Sequence, residues 1–202
     1  REAHLTQALV LRALGDLPKA IELFDQLGRE RNAPTRALIL KAETLLEAGL
    51  AERAIAALPA TDGLSSTLAK RVRLLRAEAL LALDKPAEAE ALFAQLAAEP
   101  EGQSLRNFHQ ASIDLARARI AQGSIQVAAD GLLAFIQQNP SSPLLDEAFS
   151  TLLRCLPDQP APNDPILARL REWAPEPASR PRSLVTPEGG ALHEVAPGVF
   201  WL

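Results

Sequence analysis

The feature that most constrains this chain is a glycine followed at fixed distance by an alanine. Gly15 precedes Ala20 by five residues, Gly49 precedes Ala54 by five, and the two glycines are 34 residues apart. Registering the chain on that step brings Ala8 onto Ala42, Leu11 onto Leu45 and Phe24 onto Leu58. A third copy follows with one extra residue, through Ala77, Leu80, Asp84, Ala89 and Phe93. A fourth follows a longer connection, through Ala116, Gly123, Ala128, Leu132 and Phe135, and closes on Asn139-Pro140. A step of this length marks an array of supersecondary units, each burying its apolar face against the next.

Each copy reads as two helices. In the first copy Leu5, Ala8, Leu9, Leu11 and Leu14 recur at helical spacing and form one stripe. Gly15-Asp16 ends that helix, and Leu17-Pro18 opens the next with proline in the first turn, where a missing N–H costs nothing. Ala20, Ile21, Phe24 and Leu27 give the second helix its apolar face, and Lys85-Pro86 repeats the entry in the third copy. Ala8 with Ala20, Ala42 with Ala54, Ala77 with Ala89 and Ala116 with Ala128 fall where two helices cross. Close approach of the axes requires small side chains there. Composition agrees: 37 Ala and 36 Leu stand among 202 residues, and both types rank at the top of the helix scale. High apolar content and a net charge of −4 exclude disorder over most of the chain, and also argue against a nucleic-acid surface.

The 34-residue step, the helix–turn–helix pattern, the Gly–Ala offset, the aromatic or Leu four residues after the Ala, and the closing Pro140 together resemble the tetratricopeptide repeat. The resemblance covers residues 1–156 and extends toward Trp173. Aliphatic residues replace the Trp and Tyr usual in the family's first helix, and Asp84 stands where Gly is usual. It implies an all-α fold, an α-solenoid of antiparallel helix pairs over residues 1–174. The pairs fall at about 1–34, 35–69, 70–108, 109–142 and 143–174. The last pairs a helix near Leu144–Leu156 with one from Pro165 to Trp173, with Asn163 or Asp164 as its N-cap. Residues 175–202 form a proline-rich, mostly irregular extension, a strap or the start of a further domain. Within it, Leu192–Leu202 reads as strand, turn and strand around Pro197-Gly198. The stretch Asn139-Pro140-Ser141-Ser142-Pro143, with Asp146-Glu147-Ala148 after it, is similar to tetratricopeptide proteins of the bacterial cell envelope. That similarity implies a bacterial source and tilts the compartment toward the envelope over the cytoplasm. The chain opens at Arg1 inside an amphipathic pattern and holds no Met, and is expected to be part of a longer protein.

The function the resemblance implies is a non-catalytic protein–protein interaction scaffold, holding a peptide or partner protein in a concave groove lined by first helices. The groove residues are Arg12, Arg36, Ile39, Glu43, Arg71, Leu74, Glu78, Ile113 and Arg117. Arg36 matches Arg71 and Glu43 matches Glu78 in successive copies, with Ile39 and Leu74 adding apolar contact. The bland alternative is that each Arg pairs with a Glu in its own helix, a weak solvated interaction. Two other readings stay open: a recruiting or regulatory domain of a larger enzyme, and a homo-oligomeric self-association module.

No cofactor is implied, and an enzymatic role is not expected. His4, His109 and His193 lie on separate elements, and no His-x3-His or Cys-x2-Cys pair offers metal ligands. His109 reads as solvent-facing or capping at the start of a first helix. The single Cys155 sits in the run Leu152, Leu153, Leu156 and reads as a buried thiol. No uncharged 18-residue stretch exists, so no membrane insertion is expected.

Overall fold

The computed structural model describes residues 2–29, 34–101, 104–157, 161, 164–173, 183–185, 191–196 and 199–201. The chain divides into two compact units, residues 1–155 and 156–202. In the first unit the described residues form helices α1 (Glu2–Ala13), α2 (Leu17–Gly28), α3 (Thr35–Glu47), α4 (Ala51–Ala57) and α5 (Ser66–Ala82). They continue as α6 (Pro86–Ala98), α7 (Leu105–Ala121), α8 (Ile125–Gln138) and α9 (Leu145–Leu153). Each helix packs on the one before and after it, and α3, α5, α7 and α9 also touch in succession.

Four reversals share one backbone design. After α1 the Gly15 N–H donates to the Arg12 carbonyl (3.0 Å) and the Asp16 N–H to the Leu11 carbonyl (2.9 Å). These are the paired bonds of a Schellman motif, which satisfy carbonyls a helix end would leave open. The same pair closes α3 at Gly49 and Leu50, α5 at Asp84 and Lys85, and α7 at Gly123 and Ser124. The pivot is left-handed each time, with φ of 81° at Gly15, 73° at Gly49, 56° at Asp84 and 78° at Gly123. Asp84 therefore performs the glycine's conformational task, which Asp tolerates better than most L-residues.

The restarts are local too. Pro18 and Pro86 occupy the first turn of α2 and α6. The side chains of Asp16, Ser65 and Ser104 accept from the N–H of Lys19, Leu68 and Asn107, capping α2, α5 and α7. All eight expected crossing alanines are buried, none more than 2% exposed. Core clusters reach from one pair to the first helix of the next. Ala8, Ala20, Phe24 and Leu27 pack with Leu40 of α3. Ile21, Ile39, Ala42, Leu45, Ala54 and Leu58 pack with Val72 and Leu75 of α5. Leu74, Ala77, Ala89, Phe93 and Leu96 pack with Ala111 and Ala118 of α7. Lys70 is buried with them. Its ammonium donates to the carbonyls of Glu99 (2.9 Å) and Glu101, tying the loop before α7 to the start of α5.

The second unit holds α10 (Pro165–Trp173), so the expected fifth helix pair is divided between the two units. Of the two candidate N-caps, Asp164 is seen to act, accepting from the N–H of Ile166 (2.9 Å) and Leu167 (3.3 Å); Asn163 lies outside the described residues. The extension, expected to be mostly irregular, contains three short strands: β1 (Ser183–Val185), β2 (Ala191–Ala196) and β3 (Val199–Trp201). They form an antiparallel sheet in the order β1-β2-β3, with Leu184 opposite Leu192 and Glu194 opposite Phe200. The strand pair around residues 197 and 198 is where alternating Val, Phe and Trp placed it. The proline-rich stretch 175–182 lies outside the described residues.

Candidate functional site

In the first unit an acid stands on every first helix after α1. Glu43 (α3), Glu78 (α5), Asp114 (α7) and Glu147 (α9) follow one another by 35, 36 and 33 residues. Arginines tie the row together. Arg12 of α1 donates to Glu43 (3.0 Å) and to both carboxylate oxygens of Glu47, at 2.8 Å from its Nε. Arg71 of α5 gives Nε and Nη2 to the other Glu43 oxygen (3.0 and 2.7 Å) and Nη1 to Asn107 Oδ1 of α7 (3.3 Å). Further along, Arg117 pairs with both Asp114 and Glu147 at 2.9 Å, and Gln110 donates to the same two acids at 3.2 and 2.8 Å. Charge-assisted bonds thus link successive first helices into a polar seam, with Arg117–Asp114 added inside α7.

Glu78 is different. Its carboxylate accepts no hydrogen bond among the described residues. Burial drives its pKa up from the ordinary value of 4.5 to about 7, and Asp114, Glu43 and Glu147 push the same way against the pull of Arg71. Burial likewise raises Asp114, opposed by Arg117 and Gln110. The two acids border an open pocket of about 440 Å³, completed by Leu81, Ala82, Gln110 and Arg117. The seam carries Glu43, Glu47, Glu78, Asp114 and Glu147 against Arg12, Arg71 and Arg117, two more carboxylates than guanidiniums when all are ionised. What the arrangement can do is hold a cation or a hydrogen-bond donor at Glu78; no nucleophile and base are paired in it.

No protein-family model matches the chain, and neither a curated protein nor a solved structure matches it.

The residues expected in a groove separate into three groups. Arg12, Glu43, Arg71, Glu78 and Arg117 lie on the seam. Arg36 is exposed and forms no ion pair among the described residues, because Leu9 stands on α1 where Glu43 stands on α3. Ile39, Leu74 and Ile113 are buried core side chains and offer a ligand no surface. Each sits three residues before a crossing alanine; Ile39 packs in one cluster with Ala54 and Leu58 of α4, and Leu74 in another with Ala89, Phe93 and Leu96 of α6. The Arg–Glu pairs of Arg12 and Arg71 are not within one helix: they bridge neighbouring helices. Sequence reasoning missed Asp114, Gln110, Glu147, Asn107 and Glu47. Asp114 stands three positions earlier in its repeat than Glu43 and Glu78, so continuing their step reaches Arg117 instead.

His109 is buried, not solvent-facing. Its Nδ1 lies 2.8 Å from Ser142 Oγ, its ring meets Phe135 edge-on at 5.1 Å, and its Nε2 is buried without a partner. It lies four and seven residues ahead of the buried Ile113 and Ala116, on the same face of α7, and this turns it inward. Cys155 is buried, and burial raises its thiol pKa further from reactivity. Among the described residues no group of three His, Cys, Asp or Glu could hold a metal ion, and no helix is long and apolar enough to cross a membrane.

Proposed function

We propose that the helix pairs of residues 1–155 stack as a tetratricopeptide-like solenoid and act as a non-catalytic interaction scaffold. In this reading the first-helix seam holds a segment of a partner protein, and a Lys or Arg of that segment enters the pocket at Glu78. The observation that carries it is Glu78 itself, the seam acid left without a hydrogen bond and open to a pocket. Its neighbours are already satisfied by Arg12, Arg71, Arg117 and Gln110. An incoming ammonium or guanidinium would restore the charged form and complete the row.

A peptide array probed with the full chain tests this. Peptides bearing a central Lys or Arg should be retained, and the same peptides with Gln at that position should not. Glu78→Lys should abolish retention at unchanged helical content. Equal retention of Lys and Gln peptides, or full retention by Glu78→Lys, would move the interaction away from this pocket.

A further inference from the structure

The fourth helix pair departs from the first three at one place. Three residues after the crossing alanine, the first helices carry Leu11, Leu45 and Leu80, but α7 carries Arg119. At the same step the second helices carry Leu23, Ala57 and Leu92, but α8 carries Gly131. In the first three pairs these apolar side chains pack in or against the core. In the fourth, a cavity of about 230 Å³ opens where α6, α7 and α8 meet, bordered by both Arg119 and Gly131. Glycine weakens a helix interior, and Gly131 has no positive φ to justify it. An added Cβ would meet Arg119 Nη1 at 3.8 Å, an ordinary contact. What Gly131 provides is space beside the guanidinium.

Arg119 brings charge to that space. Its Nε donates to Glu90 Oε1 of α6 at 2.9 Å, while Nη1 and Nη2 donate to no acceptor among the described residues. Arg12, Arg71 and Arg117 instead each bond two side chains. The other polar groups on the wall offer less. Ser112 Oγ and Asn139 Nδ2 already donate to the carbonyls of Phe108 and Phe135, at 3.0 and 2.9 Å, and Gln138 is exposed to solvent. Ala97, Leu115, Ala116, Ala134 and Phe135 make the rest of the wall apolar.

We propose that this cavity binds a small monocarboxylate with a short aliphatic stem, the carboxylate on the Nη pair of Arg119 and the stem against the alanines. Two N–H groups held in one plane match the two oxygens of a carboxylate. Glu90, bonded to the same guanidinium, repels a second negative charge and so disfavours a phosphate dianion. The volume lies below the roughly 300–1,000 Å³ of sites for drug-sized ligands and suits an acid of about six carbons. The site shares no residue with the Glu78 pocket, so the two proposals fail separately.

Titrating the full chain with hexanoate, followed through the amide signals of Ala134 and Phe135, tests this. The shifts should saturate, and hexanamide, the uncharged counterpart, should bind roughly 10–100-fold more weakly for want of charge-assisted hydrogen bonds. Arg119→Leu and Gly131→Leu each restore a residue of the other pairs, so both should keep their helical content. Each should weaken hexanoate binding by about tenfold or more, the first by removing the donors and the second by filling the space. Gly131→Leu leaves the Arg119–Glu90 bond in place, so its loss of binding separates a ligand site from a structural ion pair. Glutamate blocked as an acetyl amide offers the same carboxylate on a peptide unit, and should bind more weakly than hexanoate. Tighter binding of the blocked glutamate would overturn the free acid as ligand. Shifts that never saturate, equal binding of hexanoate and hexanamide, or full binding by either variant would overturn the site.

Discussion

Glu78→Gln makes the sharpest test of the seam, because the effect must change with pH. Glutamine keeps the shape and removes the charge. The carboxyl titrates near 4.5 in the unfolded chain and near 7 when folded. The folded state thus holds its proton more tightly. That contribution is fully present below about pH 4.5, declines as pH rises through 7, and is gone above it. A displacement of 2.5 units, 7 minus 4.5, corresponds to about 3.4 kcal/mol at 1.36 kcal/mol per unit. Water reaching the open side of the pocket screens part of this, leaving about 1–2 kcal/mol. Glu78→Gln should therefore stabilise the protein by that amount at pH 8, or roughly 2–8 °C in melting temperature for a unit of this size. At pH 4 the two proteins should melt together. Thermal denaturation by circular dichroism across pH 4–8 reads both limits, and a carbon-13 titration of the Glu78 carboxyl reads the midpoint directly. Equal destabilisation at both pH values would refute the reasoning, since it would mean that Glu78 is held by bonds that glutamine cannot make.

Other consequences are open to equally direct measurement. Gly123→Ala should cost about 1–2 kcal/mol in chemical denaturation purely from its φ of 78°, since no atom lies within 4 Å of the added Cβ; Asp84→Gly should be neutral to stabilising by up to about 1 kcal/mol at the equivalent pivot. Ala77→Leu, at a fully buried crossing, should cost about 1–3 kcal/mol by forcing α5 and α6 apart, and Phe93→Ala about 3–5 kcal/mol by leaving a cavity beside it; urea midpoints separate the two from surface controls. Ser142→Ala should cost about 1–3 kcal/mol, because Ser142 Oγ serves both His109 Nδ1 and the Leu144 N–H (3.2 Å), with faster amide exchange at Leu144 as its local signature.

The helices and their turns were legible in the sequence because they rest on local chemistry. Gly15, Gly49 and Gly123 announce a left-handed pivot, Pro18 and Pro86 a first turn, and the crossing alanines a close approach. Asp84 was legible only through register, since nothing in its side chain demands a positive φ. The site was half legible. Glu43, Glu78, Arg12, Arg71 and Arg117 emerged from alignment, but facing was misjudged for Ile39, Leu74 and Ile113. A helix packed on three neighbours buries more of its circumference than one stripe, and the apolar residues beside the stripe are absorbed first. Which carboxylate would lack a partner could not be read at all, because it depends on which arginine reaches which neighbour. His109 was misplaced for a related reason: its burial is set by Ser142 and Phe135, one from the next connection and one from α8. The strands β2 and β3 were foreshadowed by Val, Phe and Trp around a turn, while β1 carried no comparable signal.

The arginine bridges also bear on how the first unit comes apart. Arg12 to Glu43, Arg71 to Glu43, Arg119 to Glu90 and Arg117 to Glu147 each join helices of different pairs, across 28 to 31 residues of chain. An opening that starts at one end must break a bridge at each step before the next pair is released, so the bridges act as coupling between neighbours as well as local stabilisation. Half-exposed ion pairs are weakened by salt. Raising the ionic strength should then leave each helix pair nearly as stable as before but loosen the agreement among them. Unfolding that is a single sharp transition in dilute buffer would broaden in 1 M salt into a sequence of separate releases.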